Sequence, residues 1–405
     1  MAKKIHILLF MVPFVVSTFN LQVFVTQLVS HNLAQLIAYG MMGFLILGMI
    51  LLIKKTGPFS TTARLWIPFY LAYYCFAILA NAIHGTQAAI LKSIIPTIYF
   101  FGFFVFLSVP EYRKVFRKVA LFSFVTSSIL CIYLFNINFS IDEGGIYMYK
   151  IDRAGGVFGD ANNAALVAIV AFIFMFKDYK SPTVLKKIFK VVILLVMLYT
   201  LFITFSTTGF FVFSITFLIL NYKFFNPRQF LLILVLAPMF YLTMINLDTL
   251  TSGMNLTEHQ KFKINNVVNL LTFNTDKVDN SGREDLVEHL LEYVYQNPFI
   301  GNGVDFAIGM RGHNTIIGVW ADAGIFTLLI YLTMLFVYFR NTMTTPKDTR
   351  FFVLPILMVL CIFMLSLQSV INQPYLMALF VYLGYLIDEK NNQDKFLNQY
   401  KPRVI

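Results

Sequence analysis

The apolar residues of this chain fall in blocks of roughly 18 to 25, the length at which a helix rising about 1.5 Å per residue crosses the hydrocarbon core of a bilayer. No other feature limits the fold so strongly. In lipid every backbone N–H and C=O must be bonded within the chain, and a helix does that segment by segment. Composition agrees: of 405 residues 58% are hydrophobic and 13% charged, with 45 Phe, whereas a soluble chain carries roughly 25% charge. Cys75, Cys131 and Cys361 lie inside apolar blocks, so no disulfide framework is implied. The opening "MAKK" before an apolar stretch is like a signal peptide, but no small-residue cleavage site follows, and the segment reads as an uncleaved first span.

The blocks predict an all-α polytopic membrane protein, a single integral membrane domain over 1–405. About twelve spans lie near 6–28, 32–53, 65–83, 88–107, 117–137, 161–176, 188–204, 208–222, 230–247, 313–339, 351–370 and 374–387. A Thr-Thr-Gly break divides 188–222 into two helices rather than one re-entrant unit. Basic residues collect on the cytoplasmic side of membrane proteins. With the N-terminus inside, 23 of the 31 Lys and Arg fall inside, including Lys54, Lys55 and Arg64, the group Arg113 to Lys118, the group Lys177 to Lys190, and the tail to Arg403. An even span number then brings the C-terminus inside as well. The net charge of +11 is therefore a topology signal, not a nucleic-acid footprint.

Two outside segments are long, 138–160 and 248–312, the latter joining spans nine and ten, and the remaining polar chemistry collects there. In the larger, Ser281 and Glu284 stand in capping-box spacing and start a helix. Leu286, Leu290 and Val294 form one apolar face, which predicts an amphipathic helix lying on the outer membrane surface. Arg283, a cation in the first turn, opposes the helix dipole. It either pairs with Asp279 or Asp285, or joins the helix N-terminus to hold an anion, most simply phosphate. In the shorter loop Asp160 can cap the next span, with Asn162 and Asn163 in its first turn, and Arg153 beside that turn is a weaker anion signal.

His313 and Asn314 open span ten from the outer side. A histidine at a membrane interface is usually structural; here an arginine, a helix start and a wide polar loop converge on it. Asp322 lies nine residues further in, about 13 Å deeper at 1.5 Å per residue. An ionisable group at that depth is functional or paired inside the bundle, and Lys92 is a possible partner. Gln368, Asn372 and Gln373 are further polar residues at the outer end of spans eleven and twelve.

Three stretches, in order and on one side, carry a family resemblance. "RAGGVFGDANNAA", "GREDLVEHLLEYVYQNPFIGNG" and "HNTIIGVWADAG" resemble motifs of the O-antigen polymerase and O-antigen ligase family, as do the span count and the place of the large loop. The resemblance implies a GT-C-like glycosyltransferase of the bacterial inner membrane with its site facing the periplasm. Such an enzyme moves a glycan from a polyprenyl-diphosphate-linked oligosaccharide to an acceptor, another lipid-linked repeat for a polymerase or the lipid A core for a ligase, and other polysaccharide-assembly proteins are candidate partners. Arg283 and His313 would be catalytic; Arg153, Asn163, Arg311, Asn314, Lys92 and Asp322 would bind diphosphate or glycan. Two departures stand out. The family usually has Arg after Ser at the outer end of the seventh span, where this chain reads "FSTTGFF" with Thr207. It also more often has Glu at the position of Asp322. The first leaves a phosphate contact to Arg153, Arg311 or Lys92 and favours a polymerase.

Chemically, an inverting attack by an acceptor hydroxyl needs charge stabilisation on the leaving diphosphate, suited to Arg283 and Arg153, and a proton acceptor, suited to His313 with its unperturbed pKa near ~6.5. His313 could instead only hydrogen-bond the phosphate. No carboxylates cluster with metal spacing, so neither metal nor other cofactor is expected. The competing class is a transporter using Asp322 and Lys92 as intramembrane charges; against it, the polar residues sit on one side and no second half mirrors the first.

Overall fold

The computed structural model describes residues 2–86, 90–141, 144–147, 151–221, 242, 246, 257–272, 274, 283–368 and 370–399, with the side chains of 2, 267, 270, 271, 283, 284 and 390–399 left aside. The described chain is almost wholly helical, with one short antiparallel pair, β1 (Phe139–Ser140) and β2 (Gly145–Ile146). Among the described residues five helices are long and apolar enough to cross a membrane: His31–Lys55, Ala63–His84, Pro110–Asn136, Ala161–Asp178 and Thr315–Met343. A sixth is added if Lys3–Thr18 and Leu21–Leu28, bent by 59°, count as one span. Helix also occupies the other positions where spans are expected, except the one near 230–247, which falls almost entirely outside the described residues. The stretch near 188–222 forms two helices, as the Thr-Thr-Gly break requires.

The chain divides into two compact units, 1–124 with 285–405, and 125–284. The first contains α1 (Ala2–Thr18), α2 (Leu21–Leu28), α3 (His31–Leu52), α4 (Trp66–His84), α5 (Ile90–Ser93) and α6 (Ile95–Phe106). After the division falls within α7 (Pro110–Asn136), the second unit continues with α8 (Ala161–Asp178), α9 (Val184–Ile203), α10 (Thr207–Leu220) and α11 (Glu258–Leu271). α12 (Arg283–Gln296) returns the chain to the first unit, followed by α13 (Phe306–Gly309), α14 (Thr315–Met343), α15 (Lys347–Met364) and α16 (Pro374–Gln399).

In the first unit α14 packs along α4, and α16 along α6. Aromatic residues fill the space between them: Trp66, Phe69, Tyr331 and Phe380 are in ring contact and almost fully buried. At one end of this unit a polar clasp closes the bundle. Asp388 accepts from Ser60 Oγ (2.6 Å), Thr62 N (3.0 Å) and Thr62 Oγ1 (2.7 Å). Arg113 pairs with Glu389 at 2.8 Å and lies over the Tyr385 ring. In the second unit α8 is buried from Ala161 through Met175 and packs on α9 and α10.

α14 is one helix only by its hydrogen bonds. Ala323 (φ −133°, ψ 15°) and Gly324 (φ 76°, ψ 176°) leave the helical region and break it. That break makes room for the loop that precedes it in sequence.

Candidate functional site

The loop 297–314 folds back into the first unit and docks on the break in α14. Asn302 N and Gly303 N donate to the carbonyls of Ala321 and Asp322 at 2.8 and 3.0 Å, and Ile325 N and Trp320 Nε1 both donate to the Pro298 carbonyl. The glycines of "GNG" are needed here. A Cβ on Gly301 would lie 2.4 Å from the Asp322 carbonyl oxygen, and one on Gly303 would lie 2.6 Å from Asn81 Nδ2. Gly324 faces the same contact from the helix side, its Cβ position being 2.0 Å from the Phe299 carbonyl oxygen.

Asp322 anchors this arrangement. One carboxylate oxygen accepts from the Ala307 N–H at 2.7 Å and the other from the Tyr73 hydroxyl at 2.8 Å. Both bonds tie the loop and α4 to α14. Lys92, the partner expected for Asp322, bears instead on Asp305. The Tyr73 hydroxyl accepts from Asp305 N (3.2 Å), and Asn372 Nδ2 donates to Asp305 Oδ1 (3.0 Å). Burial pushes the Asp305 carboxyl up, against hydrogen bonds from Ser93 and Asn372 and the charge of Lys92. Asn372 thus serves this loop rather than only the short turn it sits in.

His313 and its neighbours stand at the head of α14. Asn314 caps the helix, its side chain accepting from Ile316 N and Ile317 N at 3.0 Å, while its own N–H donates to Gln368 Oε1 at 3.2 Å. Asp305, Arg311 and His313 all hold left-handed φ values, 55°, 54° and 47°. Each such non-glycine residue costs about 1–3 kcal/mol and persists only where its surroundings impose it. Such strain gathers at functional sites. Arg311 is exposed and His313 half-buried.

α12 carries the expected amphipathic pattern, with Leu290 and Val294 fully buried and Glu288 and Glu292 exposed. Its apolar face packs on Ala307 and Ala321, with Met310, Ile317 and Trp320 around them. The expected surface helix is therefore covered by the protein's own loop and α14. Arg283 opens α12; its side chain, like Ser281 and Asp279, lies outside the described residues.

The second unit brings together a different polar set. Asp160 caps α8 by accepting from Asn163 N at 2.8 Å, as its place in the sequence predicts. Asn163 is buried, and Asn162 accepts from Ser206, the residue that caps α10. Arg153 Nε donates to the Thr204 carbonyl at 3.0 Å, at the C-terminal end of α9, where a cation complements the helix dipole. Of Arg153, Arg311 and Lys92, Arg153 stands at the turn leading into Thr207. Gln260 on α11 donates to the Asp152 carbonyl at 2.8 Å. Burial, then the charge of Lys263, lowers the His259 pKa, and Lys263 is itself buried.

Sequence reading missed Asp305 and Tyr73. A signal existed for each: an acid directly after "GNGV", and three tyrosines (Tyr70, Tyr73, Tyr74) within five residues of an apolar span. Among the described residues no three His, Cys, Asp or Glu are grouped to hold a metal ion.

A helical, membrane-type architecture with strained polar loops is the class these features define. Residues 192–332 match the family model described as O-antigen ligase. The match runs from α9 through the loop and the break in α14, and it supports the resemblance to the O-antigen polymerase and ligase family. No curated protein and no solved structure matches the chain.

Proposed function

We propose that the protein is an inverting, metal-independent glycosyltransferase of the bacterial cytoplasmic membrane. It moves a glycan from a polyprenyl-diphosphate donor to an acceptor sugar on the outer face, polymerising repeats of O-antigen, capsule or exopolysaccharide. The observation that carries this reading is the O-antigen ligase family match over 192–332, the segment that holds Arg283, Arg311, His313, Asn314 and Asp322. The strained backbone at Arg311 and His313 supports it, since it fixes two polar residues at the mouth of α14.

In this reading Arg283 and Arg153 stabilise the leaving diphosphate, because charge developing in a water-poor site responds strongly to fixed cations. His313 takes the proton from the attacking hydroxyl. Asn314 and Asp322 shape the site from behind: one caps α14 and the other ties the loop to it. No ATP is available outside the cytoplasmic membrane, so the activated diphosphate supplies the driving force. A ligase is the second reading, favoured by the description of the matched family model.

The test is a reconstitution with one lipid-linked oligosaccharide and no other acceptor. A ladder of longer lipid-linked chains, lost in Arg283→Ala and reduced at least 100-fold in His313→Ala, establishes the polymerase. Transfer that begins only when lipid A core is added establishes the ligase. No transfer under either condition overturns both. A His313→Ala protein with most of its turnover removes the base role, and activity lost to chelator and restored by a divalent ion removes the metal-independent mechanism.

A further inference from the structure

The docked loop is held from a second side by α4, a helix outside the segment that matches the O-antigen ligase model. Tyr73, Ala77, Asn81 and His84, four or three residues apart, share one face of that helix. Along it the loop runs in the reverse direction. Asp305 N donates to the Tyr73 hydroxyl at 3.2 Å, Val304 N donates to Asn81 Oδ1 at 2.9 Å, and His84 Nε2 lies 3.3 Å from the Gly301 carbonyl oxygen. We propose that Asn81 is a positioning residue of the candidate site, acting on His313 through this loop. The proposal rests on the glycan-transfer reading and adds a residue and a route to it.

An amide buried in an apolar helix is costly unless both its ends are bonded. Asn81 is buried, and both of its ends are used. Nδ2 donates to Thr86 Oγ1 at 2.6 Å, while the Asn81 main-chain carbonyl accepts from Gly85 N and Thr86 N, where α4 ends in a left-handed glycine. The helix terminus thus locks the side chain and presents Oδ1 to the loop. A side chain fixed in this way by its own hydrogen bonds is what keeps a site in a precise geometry. The fit is close, since a Cβ on Gly303 would lie 2.6 Å from Asn81 Nδ2.

The route from Asn81 to His313 is continuous. Val304 leads to Asp305, bonded to Tyr73, and then to the single turn α13, where Ala307 N donates to Asp322 at 2.7 Å. Met310 N and Arg311 N donate back to the carbonyls of Phe306 and Ile308, and Arg311 and His313 follow in left-handed backbone. Each residue takes its place from the one before it, so a loosened Val304 displaces His313. A small displacement of a reacting group lowers the rate steeply. A purely structural role has a different signature: fewer folded molecules, each working normally. Positioning leaves folded molecules that work badly, and only through His313.

The test uses the full chain in nanodiscs, and one arm of it needs no activity. Hydrogen–deuterium exchange over 303–313 is expected to quicken about 10-fold in Asn81→Ala, the effect of leaving the Val304 N–H without its acceptor. Exchange over 325–338 should keep its wild-type rate. In the reconstituted transfer assay, turnover per folded molecule is expected to fall about 10-fold. Added to His313→Ala, the same substitution should cost less than about twofold more, because the group it positions is already gone. Asn81→Asp keeps an oxygen for Val304 N and can accept from the Thr86 hydroxyl, so its turnover should stay within about threefold of wild type. If Asn81→Ala does not fold, Thr86→Val takes its place: it unlocks the amide, leaves Oδ1 present, and should give the same changes at about two- to fivefold. Unchanged exchange in the loop, or a loss as large in the His313→Ala background as in the wild type, overturns the proposal. The enzymatic reading fails separately: faster loop exchange in Asn81→Ala, in a protein that transfers nothing, refutes the activity and leaves the hold of Asn81 on the loop standing.

Discussion

The first unit holds two polar clusters at opposite ends of α14, and they are built on opposite principles. At the C-terminal end Asp388 is met by three donors from Ser60 and Thr62, Asn341 donates to Thr62, and Arg113 is paired with Glu389 while bonding the carbonyls of Leu107 and Ser108. No residue taking part has a left-handed backbone. At the N-terminal end Asp322 is satisfied, but only by a loop that requires a broken helix, three glycines in tight contact and three non-glycine residues at positive φ. Beside it Asp305, itself at positive φ, accepts from Asn372 Nδ2 and donates its N–H to the Tyr73 hydroxyl. A cluster whose valences close on themselves is a fastening. One that holds its residues in strained backbone follows the pattern of a functional site rather than of a fastening.

Gly324→Ala breaks the comparison most severely. Its backbone (φ 76°, ψ 176°) belongs to a region essentially reserved for glycine, and a Cβ there would lie 2.0 Å from the Phe299 carbonyl oxygen. The loop cannot dock with that side chain present. Turnover in the reconstituted assay should fall at least 100-fold, with a lowered thermal midpoint. Gly40→Ala, where a Cβ meets nothing within 4 Å, should change neither. Near-normal turnover in Gly324→Ala would show that the docked loop is not the working conformation.

A matched pair sharpens the contrast. Asp322→Asn and Asp388→Asn each swap one acceptor oxygen for an NH₂ that faces an N–H or O–H donor. Each is expected to destabilise by about 1–3 kcal/mol, the cost of leaving a buried donor unpaired. Thermal midpoints should drop in both. Turnover per folded molecule should drop about 10- to 100-fold in Asp322→Asn and stay within twofold in Asp388→Asn. Equal losses would erase the distinction between the two ends.

Much of this was legible in the sequence, and the rest was not for identifiable reasons. Helix positions followed from apolar blocks, and the caps at Asp160 and Asn314 from side chains that compete for free N–H groups. The amphipathic face of α12 was legible too, but not what covers it, since Ala307 and Ala321 carry no signal of their own. Asp322 was visible as an anomaly in an apolar run. Its partners were not, because charge suggested Lys92 while the structure satisfies it with a hydroxyl and a backbone N–H. Periodicity also could not show that α14 breaks at Ala323, since the break is imposed by a loop that comes earlier in the chain.

The smallest expected effect concerns Asp305, and it asks whether the strained cluster works through its charge. Burial raises this carboxyl above the usual aspartate range, while Lys92, Ser93, Asn372 and Tyr73 pull the other way. Its negative charge is therefore lost, as pH falls, at values where an ordinary Asp, near pKa ~3.9, is still ionised. Turnover in the reconstituted assay should change as this carboxyl is protonated, and that part of the pH profile should be missing in Asp305→Asn. Stability is linked to the same titration: a carboxyl raised in the folded state favours the fold at low pH, and that contribution fades as pH rises through the raised pKa. The thermal midpoint of the wild type should thus gain on that of Asp305→Asn as pH falls through this window. A pH profile that is the same in the wild type and in Asp305→Asn would show that the charge of Asp305 has no part in the working of the strained cluster.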